Sequence, residues 1–502
     1  MTSPEWEERQ AAFLRRMGAR AVSDLEAGTV VVIPSITFPA SELAKITAAQ
    51  FYEERLLFLL LLLARPALRM VYVTSLPVDP ATVEYYLSFL DDPTSARARL
   101  TLVAVGDATP VPLSDKLLAR PDVVAAVSSA VVGSSAVVGP SAGNSPVDEA
   151  CVLTFNVTPA ERAVCQALGL PLYGPTPEVA ASMGSKSGAR RVAGRAGVAV
   201  LEGSEDLFSM AEVGAAVVSL RRRRPSVEAV VVKLNHGFSG QGSAMVDVGG
   251  PGGVGRDLTV APTTFCAPEE SWPTYSAKLE AEGAIVEELC RVPGTVSPSV
   301  QLHVSPAGTF EVVSTHDQVL GGPGHQVYVG CRFPADGGYR AAITDAAERV
   351  AAVLAGEGVV GSFGVDFVVV PSSGDGAQVY LSEINLRMGG TTHPFWMARL
   401  ATGARYDARS GCLAMADGSP RAYVATDNLK SASLVGRSPA DVIDRVAAAG
   451  LAFDRATGTG TCLHLLGAVP GFGKMGATCV AGTPEKAAAA YEEVAVLLGA
   501  AG

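Results

Sequence analysis

The sequence predicts an α/β protein whose texture changes twice along its length. Three observations carry this reading. Valine-rich apolar runs alternate with helical stretches through the first third. From about residue 175 the strand candidates follow one another closely and look paired and antiparallel. From about residue 423 a strand, a helix, a hairpin and a closing helix finish the chain. A length of 502 residues suits two to four domains. The changes of texture predict divisions into 1–174, 175–420 and a small α+β unit at 421–502.

The elements follow in order. The runs at 29–35 (TVVVIPS), 69–75 (RMVYVTS), 100–107 (LTLVAVGD) and 151–158 (CVLTFNVT) are continuously apolar. That is the pattern of parallel strands covered on both faces. Helices are expected over 41–64 and 79–90. Within the first, LLFLLLLL (56–63) is flanked by Glu53, Glu54, Arg55 and Arg65. It is far shorter than the ~20 apolar residues that span a bilayer, and predicts a helix buried on all sides. Residues 133–146, rich in Gly, Ser and Pro, read as a surface excursion. AVVVKLNHGFSGQGS (229–243) reads as strand, glycine loop and return strand. AIVEELC, SVQLHV, FEVVSTHDQVL, HQVYVGCRF, GVDFVVVP and QVYLSEINL are further strands, with a helix near 343–356 among them. The tail predicts helices over 440–449 and 484–498, with a hairpin turn at TGTG (457–460).

Composition excludes several classes. With 48% hydrophobic and 18% charged residues the chain has ample core. A formal charge of −11 argues against a nucleic-acid surface. The run Arg221 to Arg224 before Pro225 reads as a solvated helix end. Eight dispersed cysteines, without a C-x-x-C pair or a His cluster, speak against zinc and disulfides and for a reducing cytoplasm. The start, MTSPEWEERQ, lacks the apolar core of a signal peptide. Neither a nucleic acid nor a membrane is expected as partner, and a homo-oligomer is compatible with the sequence.

The most informative stretch is YLSEINLRMGGTTHP (380–394). Strand alternation puts Glu383, Asn385 and Arg387 on one face and Ile384 and Leu386 on the other. Asp366, in GSFGVDFVVVP, lies on the preceding strand, and the hairpin between them brings it beside Glu383 and Asn385. Two carboxylates and an amide oxygen suit Mg²⁺ held together with phosphates. A metal-free cluster would leave two acids together with only Arg387 to compensate them. Lys233 sits in V-V-V-K-L-N directly before a glycine loop. It is either a lysine reaching solvent or a phosphate ligand beneath a nucleotide lid. Lys186 opens a helix, again a phosphate site or a solvated charge. Glu287 and Glu288 end an apolar strand, either solvated or lining an adenine pocket. The turn at Gly389 and Gly390 offers N–H groups to an anion. No Ser or Cys has a nucleophile's context.

In order and type, Lys186, Lys233 with GFSGQG, Glu287 and Glu288, Asp366 and E-I-N-L-R resemble the ATP-grasp carboxylate–amine ligases over about 174–415. R-L-L-F-L and H-L-L-G-A-V-P-G-F-G-K-M-G-A-T make the chain look most like the pheganomycin-type peptide ligases. The resemblance implies an ATP-grasp fold behind a Rossmann-like pre-ATP-grasp domain, with ATP and one or two Mg²⁺ as cofactors. It implies that Lys186 and Lys233 contact phosphates and that Ser239, Gly240 and Gly242 form the lid. It implies that Glu287, Glu288 and Leu289 line the adenine pocket, that Asp366, Glu383 and Asn385 hold metal, and that Arg387 steadies the transferring phosphoryl group. His316, Asp317, Gln318, Gly389 and Gly390 would meet substrate. Many relatives place a ribose-binding acid after the adenine hinge, where this chain reads RVPGTVS. The implied reaction joins an amino-acid-like carboxylate to a peptide or amino-acid amine through an acyl phosphate, in natural-product biosynthesis. A ligase of two small amino acids and a non-catalytic nucleotide-binding subunit are the competing readings.

Overall fold

Four of the valine-rich runs become strands of one parallel sheet. They are β1 (Ala27–Ile33), β2 (Ala67–Thr74), β3 (Leu100–Ala104) and β4 (Ala150–Thr154), in the order β3-β2-β1-β4. The computed structural model describes residues 3–133, 149–237, 242–249, 257–371 and 377–500. Both faces of this sheet are covered, which is why its strands are apolar throughout. Val30, Val32, Met70 and Tyr72 pack on the leucine run, while Val31, Ile33, Val71 and Val73 pack on helices Leu113–Leu118, Pro121–Gly133 and Pro159–Leu168.

The leucine run is buried from Leu56 through Leu63, as its composition demands. Its winding differs from expectation. A short α-helix, Ala40–Leu43, precedes Ala48, whose φ of 63° breaks the run. Ala49–Ala64 is then a 3₁₀ helix, far longer than the usual 3–4 residues of that form. Tertiary contacts tie the coil down. The Ser75 N–H and hydroxyl donate to Glu53 at 2.5 and 2.6 Å, and the Tyr72 hydroxyl donates to the Glu53 carbonyl at 2.6 Å. Local helix propensity encodes none of these.

The second sheet is antiparallel. Strands β5 (Gly203–Leu207), β6 (Ala229–Leu234), β7 (Ser243–Asp247), β8 (Thr263–Phe265) and β9 (Ala284–Glu288) lie in the order β5-β9-β6-β7-β8. Helices Met210–Arg223 and Trp272–Glu282 cover one face. The glycine loop between β6 and β7 has a neck that only glycine permits. A Cβ on Gly242 would stand 2.9 Å from the Gly237 Cα.

The third sheet has ten strands. Its path runs β14 (Ala377–Asn385), β13 (Gly361–Pro371), β10 (Pro298–Val304), β11 (Phe310–Gly321), β12 (Val327–Phe333), β17 (Pro420–Lys430), β16 (Cys412–Ala414), β15 (Arg405–Asp407). β19 (Lys474–Ala481) joins β17, and β18 (Gly460–His464) joins β19. Val300, Val365 and Ile384 pack behind this sheet on helices Lys186–Ala196 and Gly337–Gly356. Its other face, with Ser299, Gln301, Asp366 and Glu383, is left to line a cleft. Among the described residues no helix is long and apolar enough to cross a membrane. The eight cysteines are free thiols.

Candidate active site

The second and third sheets face each other across a cleft of ≈ 420 Å³. Lys233 projects into it from β6 and is buried. Its ammonium forms an ion pair with the Glu287 carboxylate and donates to the Ser382 hydroxyl at 3.4 Å. Burial alone would lower its pKa, but Glu287 and Glu383 outweigh that and raise it. The solvent-exposed alternative for this lysine is thereby excluded. Glu287 is 2% exposed and has Arg190 as a second partner at 3.6 Å, so it is no solvated strand end. β9 lies between β5 and β6, inside its sheet. Glu288 turns outward to Arg224 at 3.3 Å, yet still lines the cleft edge.

Lys186 opens the helix Lys186–Ala196, whose start is fastened to β6 by Asn235. The Asn235 side-chain oxygen accepts from the Ser187 N–H at 2.9 Å, and its backbone carbonyl accepts from the Lys186 N–H at 3.1 Å. The Lys186 ammonium reaches the Gly237 carbonyl at 3.0 Å and the Glu383 carboxylate at 2.9 Å. It is therefore a bridge between the lid neck and the third sheet.

The hairpin of β13 and β14 sets Asp366 directly opposite Glu383. Asp366 accepts from Gln318 at 2.8 Å and from the Asn385 amide nitrogen at 2.9 Å. Burial and the Glu383 charge push Asp366 up to about 7, whereas Lys186 and Lys233 overcome burial at Glu383 and hold it below the usual carboxylate range. Arg387, just past the end of β14, donates to the Asn385 oxygen at 2.9 Å and lies over Phe38 and Phe155 at 6.0 and 5.9 Å. The expected face is thus assembled, with Ile384 and Leu386 in the core behind it.

This corner fits a hard divalent cation. Two adjacent carboxylates, one with a raised pKa, gain from added positive charge, and the amide oxygen of Asn385 is a third hard donor. That amide now presents its nitrogen to Asp366, so ligation would turn its oxygen inward. No group of three or more His, Cys, Asp and Glu residues with metal-binding geometry exists among the described residues, which leaves phosphates to complete any coordination.

Several expectations need correction. His316 is 0% exposed beneath Tyr423, whose hydroxyl lies 2.6 Å from its ring, and burial lowers its pKa to about 3. It is a neutral core histidine, closed off by the Tyr423 and Phe333 rings that β17 and β12 set against it. Asp317 accepts from the Tyr339 hydroxyl at 2.6 Å and the Asp336 N–H at 3.0 Å, anchoring the start of the helix Gly337–Gly356. Only Gln318 of this trio reaches the cleft, where it supports Asp366. Gly389 and Gly390 line the cleft. The Gly389 N–H is taken by Thr392 at 2.8 Å, so the turn closes partly on itself. The Leu289 N–H donates to the Ala229 carbonyl at 3.0 Å, which leaves only its carbonyl for an adenine. Ser239 and Gly240 lie outside the described residues. Past the hinge, Thr295 and Ser297 are the hydroxyls that line the cleft.

The far end of the cleft holds residues that sequence reading does not single out. Asp427 is held by Arg55 at 2.7 Å and His393 at 2.9 Å. Arg55, then His393, overcome burial and keep its carboxyl well below the usual range. Arg55 lies over the Tyr52 ring at 4.1 Å, and the Lys474 ammonium donates to the Tyr52 hydroxyl at 2.6 Å. Arg55 opens R-L-L-F-L and Lys474 belongs to G-K-M-G-A-T. The two motifs that carried the finer resemblance therefore meet here, and that was the available signal.

Comparison with known proteins bears on the family and the fold. A family model described as "IQCH-like, ATP-grasp" matches residues 177–250 and 263–409, and one described as "PGM1 C-terminal domain" matches 441–494. The L-propargylglycine--L-glutamate ligase of Streptantibioticus cattleyicolor is 34% identical over 472 residues, 91% of this chain and 92% of that protein. Among solved structures, an N5-carboxyaminoimidazole ribonucleotide synthetase with ADP superposes with a TM-score of 0.52 at 13% identity, over 94% of this chain and 98% of the other. A biotin carboxylase from Campylobacter jejuni gives 0.53 at 13% identity, over 93% and 90%. Both likenesses concern the fold.

Proposed function

The chain belongs to the ATP-grasp family and is an ATP-dependent carboxylate–amine ligase, and from that premise we propose how its residues divide the work. Lys186 and Lys233 hold the ATP phosphates beneath a lid that includes Ser239, Gly240 and Gly242. Glu287, Glu288 and the Leu289 carbonyl line the adenine pocket, with Thr295 and Ser297 beside the ribose. Asp366, Glu383 and Asn385 would hold one or two Mg²⁺, which when bound would neutralise phosphate charge. Arg387 stabilises the phosphoryl group in transit. We divide the chain at residues 174 and 420, with the reservation that β17 pairs with β12 and makes the last unit an extension of the central sheet.

The observation that carries this reading is the ion pair of Lys186 with Glu383 at 2.9 Å. It brings the lid neck and the carboxylate corner to one point, with Lys233 beside it. The phosphates of ATP would replace Glu383 as the partner of Lys186 and Glu287 as that of Lys233, which would leave the Glu383 carboxylate free to act as a cation ligand. A substrate carboxylate oxygen then bonds to the γ-phosphorus as the β–γ bridging bond breaks, giving an acyl phosphate and ADP. The amine nitrogen attacks the acyl carbon, phosphate departs carrying the former carboxylate oxygen, and the amine proton passes to water.

The substrates are an amino-acid-like carboxylate and the amine of an amino acid or peptide, in the assembly of a peptide natural product in the cytoplasm. The name of the Streptantibioticus relative gives amino acids as both of its substrates. That supports amino acids here on either side. Intact Asp366, Glu383, Asn385 and Arg387 speak against a non-catalytic subunit. The test is a turnover with ATP, Mg²⁺ and ¹⁸O-carboxylate substrates. ADP and labelled phosphate are expected; AMP with pyrophosphate, or unlabelled phosphate, would overturn the acyl-phosphate route.

A further inference from the structure

Charge at the far end of the cleft is out of balance. Arg55, Lys430 and Lys474 line it against one carboxylate, Asp427. Asp427 already has Arg55 and His393 as partners. Lys474 is 3% exposed and forms no ion pair among the described residues. Its ammonium meets only the Tyr52 hydroxyl at 2.6 Å and the Thr47 carbonyl at 3.4 Å. Burial, then Arg55, pull its pKa down to about 8. A buried ammonium facing a cleft without a counter-ion is costly until an anion arrives. The ATP phosphates have Lys186 and Lys233 at the other end. Arg55 and Arg387 line the same cleft, so this cation cluster opens onto the space where the phosphoryl transfer proposed above would occur.

We propose that Arg55, Lys430 and Lys474 bind a substrate carboxylate that does not react, so that at least one partner of the ligation carries a free carboxylate besides the one activated. The inference rests on the ligase reading above. Tyr52 orders the cluster: Arg55 stacks on its ring, and Lys474 lies 4.7 Å from the same ring centre. A carboxylate entering between them completes charge-assisted hydrogen bonds that Tyr52 alone cannot supply. The free carboxylate belongs either to the acid partner, as in a diacid, or to the amine partner, as in an amino acid with an open C-terminus.

The test uses the full chain with ATP and Mg²⁺ and reads amide products by mass. L-Glutamate, L-aspartate and neutral L-amino acids are offered on each side in turn, against the same compounds with one carboxylate capped as the primary amide. Capping the non-reacting carboxylate should raise KM roughly ten- to a hundredfold, the loss expected for a charge-assisted contact. The side on which capping matters identifies its source. Lys474→Met should remove that discrimination while ADP affinity, measured by calorimetry, stays unchanged. Lys430→Gln, at an exposed rim position, should reduce the discrimination without endangering the fold. Amides formed equally well from free and capped partners, or full discrimination kept by both variants, would overturn this inference alone. No amide from any pair would remove the ligase reading, and this inference with it.

Discussion

The two ends of the cleft hold their charges on opposite terms. At the nucleotide end Lys186 faces Glu383 and Lys233 faces Glu287, so each buried cation has its own carboxylate. At the far end Lys474 faces a phenol, and Arg55 shares Asp427 with a histidine. The first arrangement is neutral before any ligand arrives. It lets the lysines exchange one anion for another as nucleotide comes and goes, without leaving a bare buried charge. The second arrangement carries a standing excess of positive charge and gains most from an anion brought by the substrate. On the roles proposed above, a site for an exchangeable cofactor and a site for selection would differ in whether the protein supplies its own counter-ion.

The sharpest way to break the nucleotide end is Glu383→Gln. It should lower turnover on the order of a thousandfold, since the carboxylate that would hold Mg²⁺ against the phosphates is lost while side-chain volume is kept. Circular dichroism should show the fold intact; near-normal ADP release would mean that the strand is structural. A smaller effect is expected from Lys233→Ala, which should weaken ATP binding by ~1.5–3 kcal/mol in calorimetry. It also leaves buried Glu287 with Arg190 at 3.6 Å as its remaining partner, so the melting temperature should fall. Adding Glu287→Gln should restore stability but not affinity. Equal stability of Lys233→Ala and the parent protein would refute the internal counter-ion.

Arg387→Lys should reduce kcat about tenfold while changing ATP affinity less, because lysine keeps the charge and loses the planar fork. Equal losses in both would place Arg387 in ground-state binding. The smallest effect separates the two ends by pH. Lys474, faced by Arg55, Asp427 and Tyr52, has a lowered pKa near 8. It is charged below that value and neutral above it. Raising the pH from 7 to 9 should therefore increase KM for the free-carboxylate partner several-fold, and Lys474→Met should abolish the step. Lys233, with its pKa raised, stays charged over the same window and should add no such step to ATP affinity.

The fold was legible where periodicity is local. The parallel strands, the lid hairpin and the Asp366–Glu383 hairpin follow from continuous or alternating apolar patterns. The leucine run shows the limit. Its burial was readable from composition, but its 3₁₀ winding depends on bonds from Ser75 and Tyr72 to Glu53 that no local rule contains. His316 and Gln318 show it again. Two residues apart on one strand, one is sealed by Tyr423 and the other reaches Asp366, according to what packs above β11.

By itself the sequence determined the nucleotide half of this protein. Glu383, Asn385 and Arg387 are spaced by the strand repeat, Asp366 returns to them through a hairpin, and Lys233 directly precedes its glycine loop, so short-range geometry assembles them. Tertiary structure alone decided the other half. Arg55 comes from the first third of the chain, Asp427 from β17 and Lys474 from β19. They meet because β17 pairs with β19 and the 3₁₀ helix packs against the segment leading into β19, with the Gly467 N–H donating to Glu54 at 3.0 Å. Charges so far apart in sequence have no period to betray them. Their grouping is a property of sheet order and packing, which is where this chain's substrate preference is expected to reside.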